Sequence, residues 1–136
     1  MRDILFRGKS IYNNEWLYGS LVNNIYGAST PVIVYNSCYE DDNSVTFNYE
    51  FIKNNTLGQY TGINDVKGKK IFEGDIIKST NAYNYTDIYS IDYKSGDFCI
   101  NQKGVNFSTR LSNLYNGEYE IEVIGNIYDN PDLFYE

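Results

Sequence analysis

A small, mainly β protein is what this sequence predicts, on three observations. Apolar and polar residues alternate in short runs, the period of a strand with one buried face. Clusters of Gly, Asn and Asp separate those runs at close spacing, as turns between short strands do. Only Leu111-Ser112-Asn113-Leu114-Tyr115 has a brief helix-like spacing, and Gly117 ends it. Such a pattern predicts small barrel-like sheets with very little helix, arranged as one continuous domain or as two subdomains, residues 1–56 and 57–136.

The elements follow in order. Ile4, Leu5 and Phe6 open a strand that Gly8 is expected to break. Asn13-Asn14 is a turn before a strand over Trp16–Val22. Pro31 to Tyr35 is a third strand, beginning with proline where a strand tolerates it. Ser44 to Phe51 alternates cleanly, with Val45, Phe47, Tyr49 and Phe51 on one face. Leu57 to Gly62 leads through a loop whose Lys67-Gly68 pair suits a turn with positive φ, and then to the run Ile71–Lys78. Asp87 to Tyr93 alternates again, Lys94-Ser95-Gly96-Asp97 is a hairpin turn, and Phe98-Cys99-Ile100 returns. Val105 to Thr109 is a short strand, and Tyr119 to Ile124 is the last.

Composition removes mechanisms. The chain has 136 residues, 42% of them hydrophobic, enough for a core. It has no histidine, which excludes His-based acid/base catalysis, Ser-His-Asp or Cys-His nucleophiles and His-liganded metals. Cys38 and Cys99 stand alone, so no CxxC site is available; they could form one disulfide, but two reduced, buried thiols are the favoured expectation. The charged opening residues are no signal peptide, and no run reaches the roughly 18 apolar residues of a membrane span. A cytoplasmic protein is the expectation. With 11 Lys and Arg against 18 Asp and Glu, the net charge of −7 argues against wrapping a nucleic acid.

Several groups of residues invite a chemical reading. Glu73 and Asp75 flank Gly74; on a strand they would share a face and could hold a divalent cation or act as an acid/base pair. The plainer reading, which the pattern favours, is a glycine turn with Asp75 capping the strand that follows. Gln59, Tyr60 and Thr61 could offer a polar edge and an aromatic face, although Tyr60 is equally a core residue. Trp16 and Tyr18 lie two apart and share a face, as core or as an aromatic platform. Lys67, Lys69 and Lys70 form a basic cluster suited to a phosphate or simply to solvent. Gly58 to Gly62 lacks the length and ending of a P-loop.

Tyrosine is in surplus: the chain has 15, with seven Phe and one Trp. Each buried hydroxyl needs a hydrogen-bond partner, whereas interfaces and binding pockets use both the ring and its polar tip. Tyr12, Tyr26, Tyr35, Tyr39, Tyr83, Tyr85 and Tyr89 are therefore candidates for an oligomer interface or a pocket.

Ordered motifs at the opening, centre and close of the chain carry a family resemblance. Gly58-Gln59-Tyr60-Thr61-Gly62, Gly68-Lys69 and Ile71-Phe72-Glu73-Gly74-Asp75-Ile76-Ile77-Lys78 form the central one. Met1-Arg2-Asp3-Ile4 with Phe6-Arg7, then Trp16-Leu17-Tyr18-Gly19, form the opening. Ile121-Glu122-Val123-Ile124-Gly125-Asn126-Ile127-Tyr128 with Asn130-Pro131-Asp132-Leu133 form the close. Together they resemble the YopX family of phage and prophage proteins. Residues 23–56 and 79–118 carry no family pattern. The resemblance implies a mostly β fold whose C-terminal part is an SH3-like barrel, and it brings no catalytic site.

The resemblance also implies a phage setting, in which small oligomeric β proteins sequester nucleotide-type immune signals. The expectation is accordingly a non-enzymatic, homo-oligomeric protein of the host bacterial cytoplasm that sequesters a small nucleotide-type signalling molecule without a cofactor. Its candidate ligand-binding residues are Trp16, Tyr18, Gln59, Tyr60, Thr61, Lys69, Tyr83, Tyr85 and Tyr89. The alternative is an adaptor that engages a host or phage protein through exposed aromatic residues. A metal-dependent hydrolase using Glu73 and Asp75 is the remote third.

Overall fold

The computed structural model describes residues 2–23, 27, 30–39 and 42–135, with residues 36–39 described through their backbone alone. The chain is mainly β, in antiparallel sheets, and divides into two compact units, residues 1–60 and 61–136.

The first unit contains β1 (Phe6–Lys9), β2 (Trp16–Val22), β3 (Val32–Tyr39) and β4 (Val45–Phe51), with the opening residues of β5 (Gly58–Asn64). Its strands lie in the order β4-β3-β2-β1-β5. Gly8 does not break the first strand, as its type suggested; β1 runs through it, pairing Gly8 with Leu17. A Cβ at Gly8 would collide with the Ile52 side chain, so the glycine is the space in which Ile52 packs. Gly19 serves β2 in the same way, because a Cβ there would overlap the Val34 carbonyl. Val32, Ile33 and Ile52 are fully buried. Thr56 ties the unit together: its hydroxyl accepts the Lys9 N–H (2.9 Å) and donates to the Lys53 carbonyl (2.7 Å).

The second unit takes the rest of β5, then β6 (Lys70–Phe72), β7 (Asp75–Asn81), β8 (Thr86–Lys94), β9 (Asp97–Gln102), β10 (Ser108–Arg110) and β11 (Tyr119–Asn126). Its main sheet runs β10-β9-β8-β7-β11, and β6 pairs with β5. The helix-like spacing after β10 is a single 3-10 turn, Leu111–Asn113. Ser95 and Gly96 both take positive φ (55° and 79°), the two-residue turn whose twist matches a hairpin. The run Ile71–Lys78 is two strands, because Glu73-Gly74 forms a turn between β6 and β7. Ile71, Ile77, Tyr89, Ile91, Ile100, Leu111, Leu114 and Ile121 form the core, with Ile63, Phe98 and Val123 packed against it. Cys99 is a free, buried thiol; the Cys38 side chain lies outside the described residues. Among the described residues, no helix is long and apolar enough to cross a membrane.

Candidate functional site

The family-type motifs fold into supports for the sheets. In the central motif, Gly74 takes a φ of +90°, and a Cβ there would stand 2.9 Å from the Tyr128 ring. Asp75 is 2% exposed, and its Oδ2 accepts the Phe72 N–H at 2.8 Å, fixing the turn that Glu73 and Gly74 make. Glu73 thus sits in the turn and only Asp75 on a strand, so the two carboxylates do not share a strand face. Glu73 instead lines a small cavity of about 160 Å³ with Asp92 and Tyr128. Among the described residues no cluster of three or more Cys, Asp or Glu is arranged to hold a metal ion.

The closing motif caps itself. Asn126 Oδ1 accepts the Tyr128 and Asp129 N–H groups (3.0 and 2.9 Å), and the Asn126 carbonyl accepts the Asn130 N–H at 2.8 Å. Gly125 leaves the room in which Asn130 and Leu133 lie.

The candidate residues of the sequence separate into three groups. The first is the β1–β2 pair: Trp16 stands opposite Lys9, and Tyr18 opposite Arg7. The Arg7 guanidinium carbon lies 4.6 Å from the centre of the Trp16 ring and Lys9 Nζ 5.4 Å. Cation–π contacts of this kind contribute about 0.5–2 kcal/mol each. The indole is thus already engaged by two of the protein's own cations, which the aromatic spacing alone did not reveal. Tyr18 is exposed.

The second group is Gln59, Tyr60 and Thr61 on β5, with Lys69 in the loop before β6. Gln59 pairs in register with Phe6, and Tyr60 is buried, its N–H donating to the Leu5 carbonyl at 2.8 Å. The Thr61 hydroxyl is spent on backbone, donating to the Ile71 carbonyl (2.8 Å) and accepting the Ile63 N–H (3.2 Å). Lys69 is exposed, and its N–H donates to Asp65.

The third group is at one end of the second unit. β7 lies between β8 and β11, so the β7–β8 tip and the start of β11 fall at the same end of the sheet. Tyr83 and Tyr85 occupy that tip, 82% and 74% exposed. Asn81 Oδ1 accepts both their N–H groups (2.9 and 3.1 Å), which fixes the tip from below. Asn81 stands opposite Tyr119. Two grooves flank Tyr119 and share Gly117, Tyr119 and Glu120 as lining. One, about 340 Å³, adds Asn64, Asp65 and Tyr115; the other, about 350 Å³, adds Asn81, Asn84 and Glu118. Tyr89 is buried beneath this end, in the core; burial, with Asp87 and Tyr119 nearby, pushes its hydroxyl above the ordinary tyrosine value.

Asp65, Tyr115, Tyr119, Glu118 and Glu120 are groove residues that the sequence did not single out. Asp65 had a legible signal, an Asp followed two and three residues later by Lys67-Gly68. Its Oδ1 accepts the N–H groups of Lys67 and Lys69 (2.9 and 2.8 Å), and its Oδ2 that of Val123 (3.0 Å). Burial raises its pKa, but these three donors and the Lys69 charge outweigh that and hold it below the ordinary carboxylate value. Beside it, Lys67 and Glu122 pair at 2.7 Å. Both groove linings contain acidic residues and neither contains Lys or Arg among the described residues. Tyr26 lies outside the described residues, as does the Tyr39 side chain; Tyr12 and Tyr35 are exposed in the first unit.

A family model described as YopX protein matches residues 5–135. Protein EF1440 from Enterococcus faecalis has a similar crystal structure, with a TM-score of 0.61 and 24% identity over 98% of this chain and 99% of that one. Protein yopX from Bacillus subtilis is similar with a TM-score of 0.55 and 22% identity, over 98% of each chain. At these identities the likeness is one of fold. Among curated proteins none matches the chain.

Proposed function

The chain belongs to the YopX protein family, and we propose that it is a non-enzymatic adaptor whose tyrosine-rich end of the second unit binds a protein partner. The observation that carries this reading is that Tyr115 and Tyr119 line grooves with acidic and amide residues at the end of the sheet where the exposed Tyr83 and Tyr85 occupy the β7–β8 tip. Tyrosine rings give contact area at little entropic cost, and their hydroxyls serve polar partners. Asp65 is buried and already accepts three backbone N–H groups, so Glu118 and Glu120 are the exposed anions offered to a ligand. A polypeptide segment bearing Arg or Lys complements that surface: its cations meet the carboxylates and tyrosine faces, and its amides meet Asn81 and Asn84.

Sequestration of a nucleotide-type molecule is supported less well at this end. Phosphates need cations, and the lining of both grooves supplies acids. The ring best suited to stacking a base, Trp16, is engaged by Arg7 and Lys9.

A random peptide library displayed on phage, panned against the purified protein, separates the readings. The adaptor reading expects enriched peptides rich in Arg or Lys, whose binding is lost in the Tyr83→Ala/Tyr85→Ala variant. In parallel, the protein is incubated with a nucleotide mixture, denatured, and the released molecules are identified by mass spectrometry. Recovery of a nucleotide, with no peptide enriched, would overturn the adaptor in favour of capture.

A further inference from the structure

β4 ends the sheet of the first unit: it pairs with β3, and no other described strand pairs with it. Its backbone shows which groups face outward. The Ile52 N–H donates to the Pro31 carbonyl (3.1 Å) on the β3 side, whereas the Phe51 carbonyl accepts the Ile11 N–H (3.1 Å) from the other side. Strand alternation then turns the N–H and C=O groups of Val45, Phe47 and Tyr49 to that outer side. Among the described residues, Ile11 alone meets that side, and only at the Phe51 end.

The side chains of the same three residues form an apolar stripe. Val45, Phe47 and Tyr49 are 43%, 58% and 46% exposed, and their spacing of two places them on one face. Edge strands are ordinarily blunted by Lys, Pro or inward charge, because an open edge is a template for another chain. Val45–Phe51 contains no Lys and no Pro, and Glu50 is its sole charged residue. The open stretch also has the same character in both directions from Phe47: Thr46 and Val45 on one side, Asn48 and Tyr49 on the other.

From this we infer that β4 is a self-association edge, and that its occupant is β4 of a second copy, paired antiparallel about a two-fold axis at Phe47. That register sets Phe47 opposite Phe47, Val45 opposite Tyr49 and Thr46 opposite Asn48. Aromatic and β-branched pairs of this kind are the stabilising ones across strands. It keeps the two Glu50 carboxylates from facing each other, and an isologous interface of this type closes at a dimer. The first and second units thus carry separate surfaces, and this inference stands whether or not the tyrosine-rich end binds a protein.

The test is amide hydrogen exchange of the full chain over a dilution series from micromolar to millimolar, with light scattering on the same samples. A species of twice the chain mass is expected to appear as concentration rises. With it, the Val45, Phe47 and Tyr49 amides slow by about tenfold or more. Phe47→Lys is expected to remain monomeric, with those amides fast and the Ile77 and Ile100 amides as protected as in the parent. A monomer throughout the series would overturn the inference, and so would an oligomer in which the three β4 amides still exchange fast. Should Phe47→Lys lose its core protection, the concentration dependence of the parent protein decides alone.

Discussion

The two units stabilise themselves differently. The second buries a continuous cluster from Ile71, Ile77, Ile91, Ile100, Leu111, Leu114 and Ile121, and its turns are fixed by Asp65, Asp75, Asn81 and Asn126. The first buries Val32, Ile33 and Ile52 and relies on glycines that let strands and side chains approach closely. Its β4 leaves Val45, Phe47 and Tyr49 exposed. The difference teaches that alternation has two meanings here. In β8, Tyr89 and Ile91 go into a core, whereas in β4 the equally clean alternation marks a surface.

Truncations in the two units should therefore diverge. Ile77→Ala, in the core of the second unit, is expected to destabilise by about 2–5 kcal/mol, from lost burial and the cavity left behind. Phe47→Ala, on the exposed edge, is expected to change the stability of the monomer by no more than about 0.5 kcal/mol. Denaturant unfolding of both variants checks the pair; equal losses would erase the distinction.

The first unit is sensitive at its glycines instead. Gly19→Ala forces a methyl against the Val34 carbonyl, a rigid backbone neighbour, and should cost about 3 kcal/mol, the upper end of ordinary overpacking. Hydrogen exchange resolves where the loss falls. The β2 and β3 amides should become less protected, while Ile100 in the second unit should not change.

Asp65 gives a smaller and pH-dependent effect. Asp65→Asn replaces one acceptor oxygen by an amide NH2 and leaves a backbone N–H of the β5–β6 turn or of Val123 without its acceptor, at about 1–3 kcal/mol. Because the folded pKa lies below the unfolded value, the carboxylate stabilises the fold above the unfolded pKa, about 3.9. That stabilisation is lost as pH falls through the folded pKa. The stability difference between parent and Asp65→Asn should accordingly shrink below about pH 4. A difference that stayed constant from neutral pH into acid would show that Asp65 acts without its charge. Smallest of all, Tyr83→Ala/Tyr85→Ala should leave the unfolding midpoint nearly unchanged, within about 0.5 kcal/mol, because both rings stand in solvent.

These contrasts also mark what the sequence could show. The bounds of β2 were legible because Asn13-Asn14 and the run Trp16–Val22 are local signals. The continuity of β1 was not, because Gly8 reads as a break unless Ile52, far along the chain, is known to fill the space beside it. The Glu73-Gly74 turn was legible, because glycine before Asp75 is a local turn signal, and Gly74 takes a positive φ while Asp75 accepts the Phe72 N–H. In the candidate site, the tyrosine surplus and the pair Tyr83 and Tyr85 were visible from composition. Their placement at the same end of the sheet as Tyr119 was not, since it depends on the pairing of Asn81 with Tyr119 across β7 and β11. Tyr89, of the same residue type and only four positions from Tyr85, is buried because the strand turns it into the core.

The central claim, that the tyrosine-rich end of the second unit is where the protein meets its partner, is tested most directly by hydroxyl-radical footprinting of the tyrosines. The measurement compares the protein in buffer with the protein in bacterial cell extract, at a concentration low enough to keep it monomeric. The account predicts that Tyr83, Tyr85 and Tyr115 lose reactivity in extract, while Tyr12, also exposed but in the first unit, stays as reactive as in buffer. Unchanged reactivity at Tyr83 and Tyr85, or protection at Tyr12 in their place, would contradict it.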